Sequence, residues 1–188
     1  MSLPGPTRGG PMHRLLRILP WAILAVHLLF AIAIYPSLGP TVPTHLDFAG
    51  TVTRTRPTSW LEWFGLPLIG VATLLLLQGI GAILPRHPQL FNFAEKERFL
   101  RIPRAYHGPV IALMRATLDL TGVIVALTFL FVHLMLWRAG DGEAPAGMHI
   151  VILILSMGTL PLILLMTSKI TTAVEEAERR WKADTLSR

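Results

Sequence analysis

The sequence predicts an all-α membrane protein with four transmembrane helices and both termini in the cytoplasm. Three observations carry this. Charged residues are 15% of the 188 and apolar ones 52%, where a soluble domain of this size carries about 25% charged residues, and the mean hydropathy is +0.55. Four runs, 18–35, 63–84, 120–137 and 148–168, hold no ionised side chain. A helix rises about 1.5 Å per residue, so roughly 20 residues cross a hydrocarbon core of about 30 Å. Lysine and arginine counts of three, two, five, one and five follow the chain from the N-terminal tail to the C-terminal end. That alternation puts the termini and the second connecting segment inside, and the first and third loops outside.

The elements follow in order. Residues 1–14 are basic and rich in Gly and Pro and read as a flexible tail. The first helix covers 15–35. Its apolar run after Arg14 and Arg17 exceeds the roughly 7–15 residues of a signal-peptide core, so it reads as a membrane span. An outer loop, 36–59, is punctuated by Pro36, Pro40, Pro43 and Pro57. The second helix, 60–84, ends at Pro85 and Pro88. Its Gly65, Gly70, Ala72, Gly79 and Gly81 let neighbouring backbones approach. The third helix covers 116–137 and the fourth 148–170, with a kink expected at Pro161. Residues 15–170 thus form the membrane domain. Residues 171–188 read as a cytoplasmic amphipathic tail with Ala173, Val174, Ala177 and Trp181 on one face. Tyr35, Trp60, Trp63 and Trp137 all fall at the outer boundary as an aromatic belt.

The sequence contains no cysteine, which excludes disulfides, thiol catalysis and Cys-based metal centres. No Ser/His/Asp set, phosphate-cradling glycine loop or pair of intramembrane aspartates occurs, so the reading is non-enzymatic and without cofactor. The net charge of +6 is explained by lipid headgroups. The expected partners are therefore the bilayer and another membrane protein or complex, not nucleic acid.

Several polar residues could carry chemistry. His45 and Asp47 in the outer loop, His133 near the outer end of the third helix and His149 at the start of the fourth have donors that suit a transition metal. Their spacing matches no metal signature, and the alternative is separate histidines bonding across helices or to headgroups. His27, in mid-helix, is either a proton-transfer group or an interhelical hydrogen-bond donor. Arg115 and Asp119 are four apart and share a helix face, which predicts a structural ion pair.

The run Pro43-Thr44-His45-Leu46-Asp47-Phe48-Ala49-Gly50 resembles the Pro-x-His-aromatic-(Asn/Asp)-x-x-Gly loop of the bacterial family called domain of unknown function 1648 (DUF1648). The match lands on Pro43, His45, Asp47 and Gly50. Leu46 stands where the family usually has an aromatic, and Val52-Thr53 where it often has Pro-Asp. The segment from Leu90-Phe91-Asn92-Phe93 to Phe99-Leu100 is similar to the one after the family's second helix, so the resemblance covers roughly 33–120. Some relatives are immunity proteins against secreted toxin peptides. They carry a further C-terminal module with an Arg-Thr-Pro-Trp-type motif that this sequence lacks. The resemblance therefore implies architecture and a bacterial cytoplasmic membrane more than an activity. Together these readings predict an accessory, regulatory or immunity-like protein whose outer loop, at Pro43, His45, Asp47 and Gly50, recognises a partner or ligand. The alternatives are an accessory subunit of a respiratory or photosynthetic complex, and an outer-face metal or proton site.

Overall fold

The computed structural model of the chain describes residues 11–47, 50–142 and 147–187. In chain order they form α1 (Pro11–Ile34), β1 (Thr41–Leu46), β2 (Val52–Pro57), α2 (Trp60–Ile83), α3 (Lys96–Arg101), α4 (Gly108–Gly140) and α5 (Met148–Leu186). Short 3₁₀ turns occupy Tyr35–Ser37, Pro88–Leu90 and Arg104–Tyr106. Four helices, α1, α2, α4 and α5, are long and apolar enough to cross a membrane. The chain is a multi-pass membrane protein. Its helices present apolar side chains outward, with Leu76 63% and Ile154 64% exposed, as hydrocarbon surroundings allow.

The elements differ from the sequence expectation in four places. The segment read as a loop, 36–59, contains an antiparallel two-stranded sheet. The Thr/Val-rich alternation of Val52-Thr53-Arg54-Thr55-Arg56 favours extended backbone, and only the prolines around it obscured that signal. The tail expected at 171–188 is no separate element, because α5 runs unbroken to Leu186; no Gly or Pro follows Pro161 to stop it. The third span begins at Gly108, eight residues before 116, and ends at Gly140. At the N-terminus α1 already includes 11–14, while 1–10 of the expected tail lie outside the described residues.

Two compact units organise the chain. One comprises Ile18–Leu75 and Thr121–Thr159. Its core gathers Ala31, Val42, Trp63 and Phe64, flanked by Phe30, Tyr35 and Trp137. Small residues bring its helices together: a Cβ on Gly122 would stand 3.3 Å from Leu74 and 3.5 Å from Pro20, and one on Gly70 3.2 Å from Leu24. Gly65 and Gly79, by contrast, face open space.

The other unit comprises Met1–Arg17, Leu76–Leu120 and Leu160–Arg188. Its core gathers Phe99 and Ile102 from α3 and its end, Val110 from α4, and Ile170, Val174 and Ala177 from α5. The positions 170, 174 and 177 recur at the spacing of one helix face, which is why the end of α5 folds onto α3. His107 is buried beside Phe99, its ring centroid 3.9 Å away, and its Nε2 hydrogen-bonds the Ile102 carbonyl at 2.8 Å.

Candidate functional site

The hairpin carries the sequence motif. Its register runs Thr41↔Pro57, Val42↔Arg56, Pro43↔Thr55, His45↔Arg54 and Leu46↔Val52, with irregularities on either side of His45. Pro43 has no N–H to give a ladder, and a two-stranded sheet tolerates it because both strands are edges. Thr58 closes the base: its N–H donates to Pro40 O at 2.9 Å and its hydroxyl to Gly39 O at 2.5 Å. At the tip, Asp47 Oδ1 accepts the Thr51 N–H at 2.8 Å, and Asp47 and Thr51 bond again through their backbones at 3.0 Å. Gly50 sits at φ 84°, a left-handed conformation that costs a Cβ-bearing residue about 1–2 kcal/mol. Asp and Gly are thus in the motif for the turn. Phe48 and Ala49 lie outside the described residues.

Hairpin and helices are joined through β1. Val42 and Pro43 are buried, whereas β2 is exposed from Thr53 to Pro57. Pro43 packs on the end of α4, where a Cβ on Gly140 would come within 3.3 Å of its Cδ. Arg56 of β2 forms an ion pair at 2.6 Å with Glu62 in the first turn of α2. Ser59 caps that helix, its hydroxyl accepting the Glu62 N–H at 3.3 Å.

Beside the Val42 cluster lies a buried pair of histidines. His27 of α1 and His133 of α4 are 0% and 1% exposed. His27 Nε2 and His133 Nδ1 are 2.8 Å apart, bridging 106 positions of sequence. One ring donates and the other accepts. His133 is enclosed by aromatic edges, with Trp63 at 4.1 Å and Phe30 at 5.6 Å between ring centroids. Trp63 is itself held by its indole N–H donating to Ala31 O at 2.8 Å. The outward nitrogens, His27 Nδ1 and His133 Nε2, are buried without a hydrogen-bond partner.

The structure sorts the expected site residues. His45 is exposed on β1. His133 is taken up by His27, and among the described residues no group of three or more His, Asp or Glu is placed to hold a metal. The set His45, Asp47, His133 and His149 is therefore not assembled, because His133 lies inside the helix packing rather than at its surface. The sequence marks His27 and His133 as separate polar positions, and nothing in their spacing announces that they pair.

The ion pair expected between Arg115 and Asp119 is also not formed. Both side chains turn to α2 instead. Arg115 Nε donates to Gly81 O at 2.7 Å, and Gln78 Nε2 donates to Asp119 Oδ1 at 3.0 Å. The cause lies in the sequence of α2. The helical partner of the Gly81 carbonyl would be the N–H of residue 85, and Pro85 has none. Arg115 supplies the missing donor.

The polar network in the same unit as Arg115 centres on Arg98. It meets Glu178, Glu175 at 3.5 Å and Glu95 at 3.9 Å. The hydrogen bond it donates to Glu178 holds the Arg98 guanidinium above its ordinary pKa. Tyr106 donates to Asp184 at 2.7 Å, a second tie to the end of α5.

Comparison with known proteins places the motif. Residues 22–71 match the family described as a domain of unknown function, DUF1648. The match includes the Pro43–Gly50 motif and stops short of the 90–100 segment. No curated protein and no solved structure matches the chain. The chain is thus a multi-pass membrane protein whose second half of α1, hairpin and first half of α2 match the DUF1648 family.

Proposed function

We propose that this is a non-enzymatic membrane protein of accessory, regulatory or immunity-like type, whose hairpin recognises a partner or ligand outside a bacterial cytoplasmic membrane. One observation carries the reading: Val42 and Pro43 anchor β1 in the helix cluster while β2 is exposed from Thr53 to Pro57. A strand held rigidly from one side and open on the other offers a preformed surface, which lowers the ordering cost of binding. An exposed strand edge can also pair with an extended segment of another chain. Pro43, Asp47 and Gly50 hold the backbone of this element. His45, exposed at the irregularity in β1, is the motif side chain left to make contact. The charge alternation along the sequence supports an outward hairpin.

Photo-crosslinking tests this. A benzophenone side chain at Arg54, in native membranes, should yield a discrete adduct that His45→Ala weakens. Only uncrosslinked chain, at every position of β2, would sink the proposal.

A second reading is an accessory subunit of a larger membrane complex. It is favoured by α5, whose most apolar stretch has none of its residues buried. That leaves a full helix face for lipid or for another membrane protein. Migration on a native gel at the size of an isolated 20.8 kDa chain would count against it.

A further inference from the structure

A small cavity of about 60 Å³ lies among α1, α2 and α4, lined by Arg17, Gln78, Gly81, Arg115, Leu118 and Asp119. We propose that it binds the headgroup phosphate of an anionic phospholipid.

Four observations carry this. First, the cavity lies at the polar margin of three spans. Arg17 immediately precedes the charge-free run 18–35, Gly81 lies in the last turn of α2, and Arg115 precedes the run 120–137. Lipid phosphates occupy that level of a bilayer.

Second, the arginine donors are available. Arg17 is exposed and makes no hydrogen bond or ion pair among the described residues. Arg115 is exposed and spends only its Nε, on Gly81 O. That bond fixes the guanidinium plane and leaves the two terminal nitrogens to donate. A planar guanidinium with paired N–H groups matches phosphate oxygens.

Third, the charges balance. Two arginines and Asp119 give a net charge of one positive, which complements a phosphodiester's single negative charge. Asp119 is turned aside by Gln78, whose amide donates to its Oδ1 at 3.0 Å.

Fourth, acyl chains have a place to lie. Ile83, two residues past Gly81, is 46% exposed.

The test is lipid retention by the full chain purified in mild detergent and read by native mass spectrometry. The protein is offered phosphatidylglycerol or phosphatidylcholine of equal chain length. Wild type should retain phosphatidylglycerol in preference to phosphatidylcholine. Arg17→Gln breaks no hydrogen bond or ion pair among the described residues and should lower that retention about five-fold, the effect of one basic residue near an anionic surface. Arg86→Gln makes the same charge change at an exposed residue outside the cavity and should leave retention unchanged. Equal losses in the two variants would reduce the site to diffuse attraction. Equal retention of the two lipids would reduce it to ordinary boundary lipid. Displacement of phosphatidylglycerol by millimolar inorganic phosphate would assign the cavity to a free phosphate instead. Each of these three results overturns the proposal.

Discussion

Around Trp63, the buried hydrogen bonds join neutral partners: an indole N–H on a backbone carbonyl, and one nitrogen of an imidazole on one of another. Around Phe99, the apolar core is bordered by charge, with Arg98 facing three glutamates and Lys182 bonded to Glu178 at 2.7 Å. The difference follows from the solvent each chemistry suits. In hydrocarbon a charge is costly and an unpaired polar atom has no water to turn to, so neutral side chains satisfy each other. Near water, charged side chains keep their hydration while their stems cover an apolar core. One protein therefore contains two kinds of stability, and they should respond to different perturbations.

The largest test removes one large ring from each unit. Trp63→Ala and Phe99→Ala should each cost about 3–5 kcal/mol, measured by denaturant unfolding in detergent. Hydrogen exchange should then show Trp63→Ala deprotecting the Val42 amide and Phe99→Ala deprotecting amides around Val174. Deprotection of both units by either change would break the distinction between them.

Next comes the histidine pair. His133→Leu leaves His27 without its partner inside the helix packing, at an expected cost of about 1–3 kcal/mol. The double variant His27→Leu/His133→Leu should cost less than the sum of the two single changes, because it removes both polar groups at once. Strict additivity in a double-mutant cycle would show that the 2.8 Å contact contributes nothing.

Gly50→Ala forces a side chain into a left-handed turn and should destabilise by about 1 kcal/mol. The effect should appear as faster exchange in the hairpin, with the Phe99 unit unchanged.

The smallest effect belongs to the exposed charges. Hydrogen bonds from Lys182 and Arg98 hold the Glu178 carboxyl below its ordinary 4.5. A carboxylate whose folded pKa is depressed contributes stability above its ordinary value and loses it as pH falls through the folded one. Thermal melts read through Trp181 fluorescence should therefore weaken as pH drops below about 4.5. Arg98→Gln should flatten that profile and reduce its sensitivity to salt. An unchanged profile in Arg98→Gln would remove the role given to this network.

Some of this was open to a reader of the sequence. The four spans are visible because a helix in lipid satisfies its own backbone and needs only a long apolar run. The roles of Asp47 and Gly50 in turning the chain are properties of those residue types. The hairpin strands were obscured by Pro43 and Pro57, although Val52-Thr53-Arg54-Thr55-Arg56 carried a strand signal. The continuation of α5 was equally present, in the absence of any breaker after Pro161. The Arg115–Asp119 spacing suggested a pair, and the clue against it was Pro85, which strands a carbonyl on a different helix.

Length, hydropathy and turn chemistry are local, and the amino-acid sequence by itself determined them: four spans, their order, and a Pro-to-Gly motif between the first two. The pairing of His27 with His133, the burial of Val42 and Pro43 against the exposure of β2, and the reach of Arg115 to Gly81 were decided only in the tertiary structure. Each depends on which helix faces pack together. That choice is made jointly by residues far apart in sequence, such as Gly122, Leu74 and Pro20, whose close fit no single stretch of chain encodes.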